Sequence, residues 1–206
     1  MNASRRLLTT MVVVAAVLLV PSVASANRLG FSSTTFRITS GAGIREGDVI
    51  CPLTLEGSFH SNTFTKTLGS LIGYITRAAL EEERCSGGRA RYLRETLPWH
   101  IQYAGFSGFL PNIASITTHV IGLGILITRS GVSCLYTTSM EKPGVLIWNR
   151  ELEGGAIRSI RWSEEENIPS NERENIFCRA NPISLIGFSE RVTQLASTNL
   201  ITVRLI

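Results

Sequence analysis

The stretch VICPLTLEGSF, residues 49–59, shows most clearly what kind of fold this chain adopts. Apolar side chains recur at alternate positions along it, at Val49, Cys51, Leu53, Leu55 and Phe59. The residues between and just after them include polar Thr54, Glu56, Ser58 and His60. Because successive side chains of a β-strand point to opposite faces, this alternation predicts a half-buried strand with one face in water.

Similar short segments follow along the rest of the chain. Alternating or β-branched apolar runs predict strands over 72–80, 99–103, 116–128, 132–138, 145–148, 157–162, 183–187 and 200–206. Turn signals separate them at 68–70, at Ser130-Gly131 and at 153–155. We therefore predict an all-β fold, an antiparallel β-sandwich or barrel of roughly 8–10 strands. Over 74–84 a helix is the alternative, because residues 76–83 have fair helical propensity.

The apolar run over 113–127 raises the question of a membrane-spanning segment. It contains Thr117, Thr118 and His119 and is shorter than the roughly 20 residues that a bilayer-spanning helix needs. We interpret it as a buried strand, with Gly122 and Gly124 allowing a bend or a close backbone approach.

The N-terminus has the three parts of a secretory signal peptide. Arg5 and Arg6 precede an apolar run over 11–20, and Ala24-Ser25-Ala26 provides small residues at a cleavage site. A membrane anchor is the weaker alternative, because the apolar run is too short. We predict a signal peptide over 1–26 and a single secreted β domain over 27–206, located outside the cell or at its envelope. Both the general secretory and the twin-arginine routes fit.

The charge distribution argues against nucleic acid and anionic membranes as partners. The chain has 20 Lys+Arg and 16 Asp+Glu, a net charge of +4. Removing Arg5 and Arg6 with the signal peptide leaves +2. No basic run occurs in residues 27–206, and binding to polyanions needs clustered positive charge.

Four cysteines in an exported chain predict two disulfides. Zinc binding is a poor alternative, because no two cysteines are two to four residues apart. Cys51 and Cys85 lie symmetrically about the turn near Gly69, and Cys134 and Cys178 about the turn at 154–155. These symmetries favour the pairs Cys51–Cys85 and Cys134–Cys178. Strict hairpin register would, however, place Glu81 and Glu83 opposite leucines, unless a β-bulge intervenes or the strand ends before Glu81.

Catalytic chemistry has few residues to draw on. Asp48 is the chain's one aspartate, three histidines are scattered, and no known catalytic motif occurs. The acidic runs 81–83 and 164–166 could supply a glycosidase pair, but charged strand edges or loops explain them better. We expect no cofactor and no metal, and favour a non-enzymatic protein. A secreted hydrolase using glutamates is the alternative, and a deep pocket containing Glu56 or Glu95 would support it.

The segment over 105–111, GFSGFLP, is the best candidate for a binding loop. Glycine and proline suit a tight, presented loop, and Phe106 and Phe109 could contact a partner, a glycan or a lipid. The alternative is that both rings fold back over one end of the β domain.

Several segments resemble a family of exported actinobacterial β-rich proteins of unassigned function. They are CPLTLEGSFH (51–60), LPWHIQY (97–103), FSG (106–108), GVSC (131–134) and ITVRLI (201–206). The resemblance implies an exported, disulfide-containing β protein and carries over no catalytic residue. Together these observations predict a secreted non-catalytic protein that binds an extracellular or cell-surface partner, or acts structurally in the envelope.

Overall fold

The computed structural model describes residues 28–80, 85–109, 112–150, 154–163, 168, 170–171, 176–180, 183 and 191–206. These parts are almost entirely β-strand. The described strands are β1 (Arg28–Phe31), β2 (Thr35–Glu46), β3 (Val49–Phe59), β4 (Thr63–Thr65), β5 (Leu71–Leu80), β6 (Arg89–Tyr92), β7 (Trp99–Phe109), β8 (Asn112–Ile121), β9 (Gly124–Arg129), β10 (Val132–Thr137), β11 (Gly144–Arg150), β12 (Ile157–Trp162), β13 (Arg191–Thr193) and β14 (Val203–Leu205). A 3₁₀ turn (Arg94–Thr96) and a short helix, α1 (Ile176–Ala180), complete the described elements.

Eight of these strands form one antiparallel sheet in the order β12-β11-β8-β7-β5-β3-β2-β13. The sheet curls until its edge strands approach each other, and the C-terminal segment joins them. Ile201 accepts a hydrogen bond from the Ile157 N–H (2.8 Å) and donates its own N–H to Val192 (3.0 Å). The result is a nearly closed barrel, which leaves little open strand edge. The predicted all-β antiparallel fold is confirmed.

Strand β3 lies between β2 and β5 in this barrel, as its alternation predicted. Its odd-numbered positions are buried, and Glu56 lies on the outer face. There Glu56 contacts Arg37 (2.9 Å) and Arg77 (3.4 Å), which occupy the paired positions on the two neighbouring strands. Opposite charges placed directly across a sheet support the register.

A group of aromatic rings lies within the largely aliphatic core. Phe36 contacts the Trp148 ring edge-on at 5.4 Å and Phe59 at 5.0 Å between centroids, arrangements that aromatic pairs favour. Trp148 is buried, and its indole N–H donates to the Thr118 hydroxyl at 2.9 Å. Burial of this ring therefore leaves no unsatisfied donor.

Two three-stranded sheets pack beside the barrel, in the orders β14-β1-β4 and β10-β9-β6. The apolar run 113–127 was predicted as one strand, and this was wrong. Strand β8 ends at Ile121, and the chain turns at Gly122, whose φ of +85° is a conformation that glycine adopts readily. It thus passes from β8 in the barrel to β9 in the second small sheet. The C-terminus is paired, since Ile206 and Arg28 exchange backbone hydrogen bonds.

The structure contains both predicted disulfides, Cys51–Cys85 and Cys134–Cys178. The conflict foreseen for the first pair is resolved in the two ways considered. Leu53 pairs with Leu80, where β5 ends, and the register shifts at a bulge beside Glu56. No glutamate therefore lies opposite the buried leucines of β3.

For the second disulfide the pairing was predicted correctly but the hairpin argument was wrong. Cys134 lies on β10, whereas Cys178 lies on α1 and not on a strand. The turn at 154–155 instead joins β11 to β12 in the barrel. The bond thus tethers α1 to the small sheet, and its sequence symmetry about that turn has no structural cause.

Residues 71–80 form a strand, so the helix considered over 74–84 is not formed there. Ile183 makes an isolated bridge to Ile168. The predicted signal peptide at 1–26, the acidic runs 81–83 and 164–166, and residues 184–187 lie outside the described residues. In the part of the chain that the structure describes, no helix is long and apolar enough to cross a membrane.

Candidate functional site

The predicted loop over 105–111 is instead the end of a long hairpin, as far as residue 109. Residues 99–109 belong to β7, and Phe109 pairs with Asn112 at the start of β8. The prediction failed because the glycines were interpreted as loop residues. They lie beside register shifts within the paired strands, and Gly108 has a φ of +98°. Bulges of this kind twist a hairpin without ending it.

Both phenylalanines of this hairpin are exposed. The Phe109 side chain is 92% exposed and that of Phe106 is 37% exposed. The alternative in which both rings fold back into the protein is therefore wrong. An aromatic ring held almost entirely in water at the end of a hairpin contributes little to the fold and is available for contact.

Phe106 lines an open groove of about 630 Å³, here called the Phe106 groove. Its lining residues are Thr65, Lys66, Thr67, Leu68, Tyr103, Gly105 and Phe106. Backbone hydrogen bonds hold its two walls together: the Gly69 N–H donates to Tyr103 at 2.8 Å, and the Tyr103 N–H donates to Ser70 at 2.9 Å. The groove is therefore a fixed feature of the turn at 66–70 and strand β7.

The lining of the Phe106 groove combines apolar and cationic groups. The Lys66 Nζ atom lies 5.3 Å from the Phe106 ring centroid, within range of a cation–π interaction. Leu68 on the opposite wall is 72% exposed. Tyr103 also lines the groove, and burial raises its pKa above the ordinary value.

A second site was missed by the sequence analysis and centres on Glu46, the last residue of β2. Glu46 is only 3% exposed. The Tyr136 hydroxyl donates to its Oε1 atom at 3.3 Å, and among the described residues nothing hydrogen-bonds to Oε2. Burial raises the pKa of Glu46, while the Tyr136 hydrogen bond and the Arg129 charge act in the opposite direction. A signal was available, since Glu46 follows buried Ile44 at a spacing of two and so shares its inward face.

Glu46 lines a cavity of about 220 Å³, here called the Glu46 cavity. The other lining residues are Ile127, Arg129, Ser130, Val132, Cys134 and Phe177. They come from β9, β10, the turn between these strands, and α1, which the Cys134–Cys178 disulfide holds in place. Most of the lining is apolar. The buried Glu46 carboxyl group in it has one oxygen that accepts no hydrogen bond from the described residues.

The structure places the other candidate acids away from the Phe106 groove and the Glu46 cavity. Glu56 is engaged by two arginines on the outer face of the barrel, and Glu95 lies exposed in the 3₁₀ turn. Neither lines the Phe106 groove or the Glu46 cavity. His60 and His100, far apart in the sequence, both contact the Tyr74 ring, at centroid distances of 4.9 and 5.2 Å.

In the described ranges, no three His, Cys, Asp or Glu side chains come together in a way that could hold a metal ion. Among the residues lining the two sites, we find no group typical of a cofactor cradle. The arrangement can therefore bind molecules through apolar, aromatic and isolated polar groups.

Comparisons with protein-family models, curated proteins and solved structures found no match for this chain. The resemblance to exported actinobacterial proteins stays a prediction.

Proposed function

We propose that this is an exported, non-catalytic binding protein that attaches to a protein partner at the cell surface. It does so through Phe109 at the end of the β7–β8 hairpin and through the Phe106 groove. The observation that carries the proposal is the almost complete exposure of Phe109 near the end of the β7–β8 hairpin. Protein interfaces draw much of their affinity from a few aromatic anchors of this kind.

The lining of the Phe106 groove supports a protein partner over a glycan. Leu68 and Leu71 are also exposed, on the turn and strand start next to the groove wall. The hydroxyls of Thr65 and Thr67 are hydrogen-bonded to each other at 3.3 Å. The groove therefore offers more unpartnered apolar surface than free hydroxyl groups, which suits an apolar protein surface.

Export supports an extracellular setting for this interaction. The signal-like N-terminus and the two disulfides fit a non-cytoplasmic protein. N-terminal sequencing of protein secreted by the producing cells tests this part. A mature chain starting at Asn27 is expected, and a membrane-bound product that retains Met1 would contradict it.

The hydrolase alternative receives less support. Glycoside hydrolysis by the common mechanisms needs two carboxyl groups flanking one bond. Glu46 is the one acidic residue among the described residues that line the two sites, so neither site has a second carboxyl group opposite it.

Binding of the mature protein to envelope fractions of the producing cells tests the partner. Phe109→Ser should weaken saturable binding about ten- to a hundredfold, because burying a phenylalanine contributes roughly 1.5–3 kcal/mol. Met140 is 76% exposed on a different turn, so Met140→Ser is the matched control and should bind normally.

Protease treatment of the envelope should abolish binding. Binding that survives protease but is lost after glycan digestion, or that is reproduced by lipid vesicles, would overturn the protein-partner proposal. Equal binding by wild type and Phe109→Ser would overturn the assigned surface.

A further inference from the structure

The Glu46 cavity has a polar group that the fold leaves incomplete. One carboxyl oxygen accepts a hydrogen bond from Tyr136, and the other is buried with no donor among the described residues. Buried carboxyl oxygens in folded proteins nearly always have a partner, so an unpaired one beside a cavity calls for explanation. A bound molecule carrying a donor would supply the missing hydrogen bond.

We propose that the Glu46 cavity binds a small primary amine with an apolar body the size of one ring. Because Oε2 is itself buried, the Glu46 carboxyl group turns toward the cavity to accept a hydrogen bond from the ammonium group, while Tyr136 continues to donate to Oε1. The apolar body packs against Ile127, Val132 and the Cys134 end of the disulfide, and Phe177 borders the same space.

The cavity volume sets the size of this molecule. An apolar protein cavity of about 150 Å³ is large enough to hold benzene. At about 220 Å³, the Glu46 cavity has room for one such ring and a short head group, and it is smaller than most drug-binding pockets.

The charge of the two ionisable lining residues favours a cation over an anion. Glu46 is buried, whereas the Arg129 side chain is 39% exposed and lies 3.9 Å from Asp48. Charges act more strongly in a low-dielectric interior than in water, so the Glu46 carboxylate dominates inside the cavity. Burial raises the pKa of Glu46 because it disfavours the ionised carboxylate. A cation bound beside the carboxylate would stabilise the ionised form.

Three probes of nearly equal shape test the proposal on the mature protein with both disulfides intact. They are benzylamine, benzyl alcohol and benzoate, measured by calorimetry and by NMR shifts of residues around the cavity. Benzylamine should bind at least tenfold more tightly than benzyl alcohol, and benzoate should bind least. This ranking needs no variant, so it decides the question even if substitutions in the cavity prevent folding.

Two variants then locate the contact. Glu46→Gln should weaken benzylamine binding at least tenfold and leave benzyl alcohol binding within about twofold. Glu56→Gln removes a carboxylate outside the cavity and should change neither.

Preference for benzoate would assign the site to Arg129 and overturn the proposal. Equal binding of all three probes, no binding at all, or unchanged amine binding by Glu46→Gln would also overturn it. Phe109→Ser should not alter benzylamine binding, so failure of this proposal is distinguishable from failure of the proposed function.

Discussion

Replacing Cys134 and Cys178 together by alanine should lower the free energy of unfolding by about 4 kcal/mol. The disulfide closes a loop with a sequence separation of 44 residues. In the chain-entropy model, cross-linking a loop of this length removes about 13 cal/mol/K of entropy from the unfolded chain, or about 4 kcal/mol at room temperature. Both half-cystines are buried, so the bond lies inside the packed structure and not at a frayed edge.

Urea denaturation followed by tryptophan fluorescence measures this loss. Trp99, Trp148 and Trp162 are all buried, so unfolding transfers each indole to water and changes its emission. With an m-value of about 2 kcal/mol/M, the midpoint should fall by about 2 M.

Cys51→Ala with Cys85→Ala is the matched control. It opens a loop with a separation of 34 residues, for which the same model gives nearly the same loss. A loss below about 1 kcal/mol for the Cys134–Cys178 pair, with an unchanged m-value and a normal loss for the control, would refute the reasoning. It would show that tethering α1 to β10 contributes little to the folded state.

Three further predictions concern single positions. Gly57→Ala should lower the free energy of unfolding by about 1–3 kcal/mol or more in urea denaturation, because the added Cβ would overlap the Tyr74 carbonyl oxygen and the Phe36 ring. Gly30→Ala is the control and should cost less, because its Cβ would meet only side-chain atoms at 3.4 Å or more. Equal losses for the two variants would contradict the packing around Gly57. Burial raises the pKa of Glu46 in the folded state, so its contribution to stability is fully present below the ordinary value of 4.5 and is lost as the pH rises through the raised value. Wild type should therefore lose stability relative to Glu46→Gln across a pH series that starts below 4.5, and a constant difference would show that Glu46 titrates normally. Phe109→Ser should leave the stability nearly unchanged, because Phe109 is 92% exposed. Phe36→Ala, at a fully buried position, should lower the free energy of unfolding by roughly 3–5 kcal/mol. A large loss for Phe109→Ser would mean that the hairpin end is packed.

The functional candidates divide by how local their signals are. Phe106 and Phe109 could be singled out because glycines surround them in the sequence, and both are exposed in the structure. The groove beside Phe106 could not be predicted, because its other wall is the turn at 66–70, far away in the sequence. The inward position of Glu46 could be inferred from its spacing to Ile44, but its contact with Tyr136 could not, because that tyrosine lies 90 residues further along the chain.

The sequence by itself determined the fold class, most strand positions and the Cys51–Cys85 pair, whereas the Cys134–Cys178 pair was predicted correctly from a symmetry that has no structural cause. In a strand with one buried face, every second side chain is apolar, so the strand can be recognised from neighbouring residues alone. Only the tertiary structure decided that the run 113–127 divides between two sheets, that Cys178 lies on a helix, and that residues 200–203 join the barrel edges. These features depend on contacts between segments that are distant in the sequence. Such contacts override local strand preferences and produce no periodic pattern in the sequence.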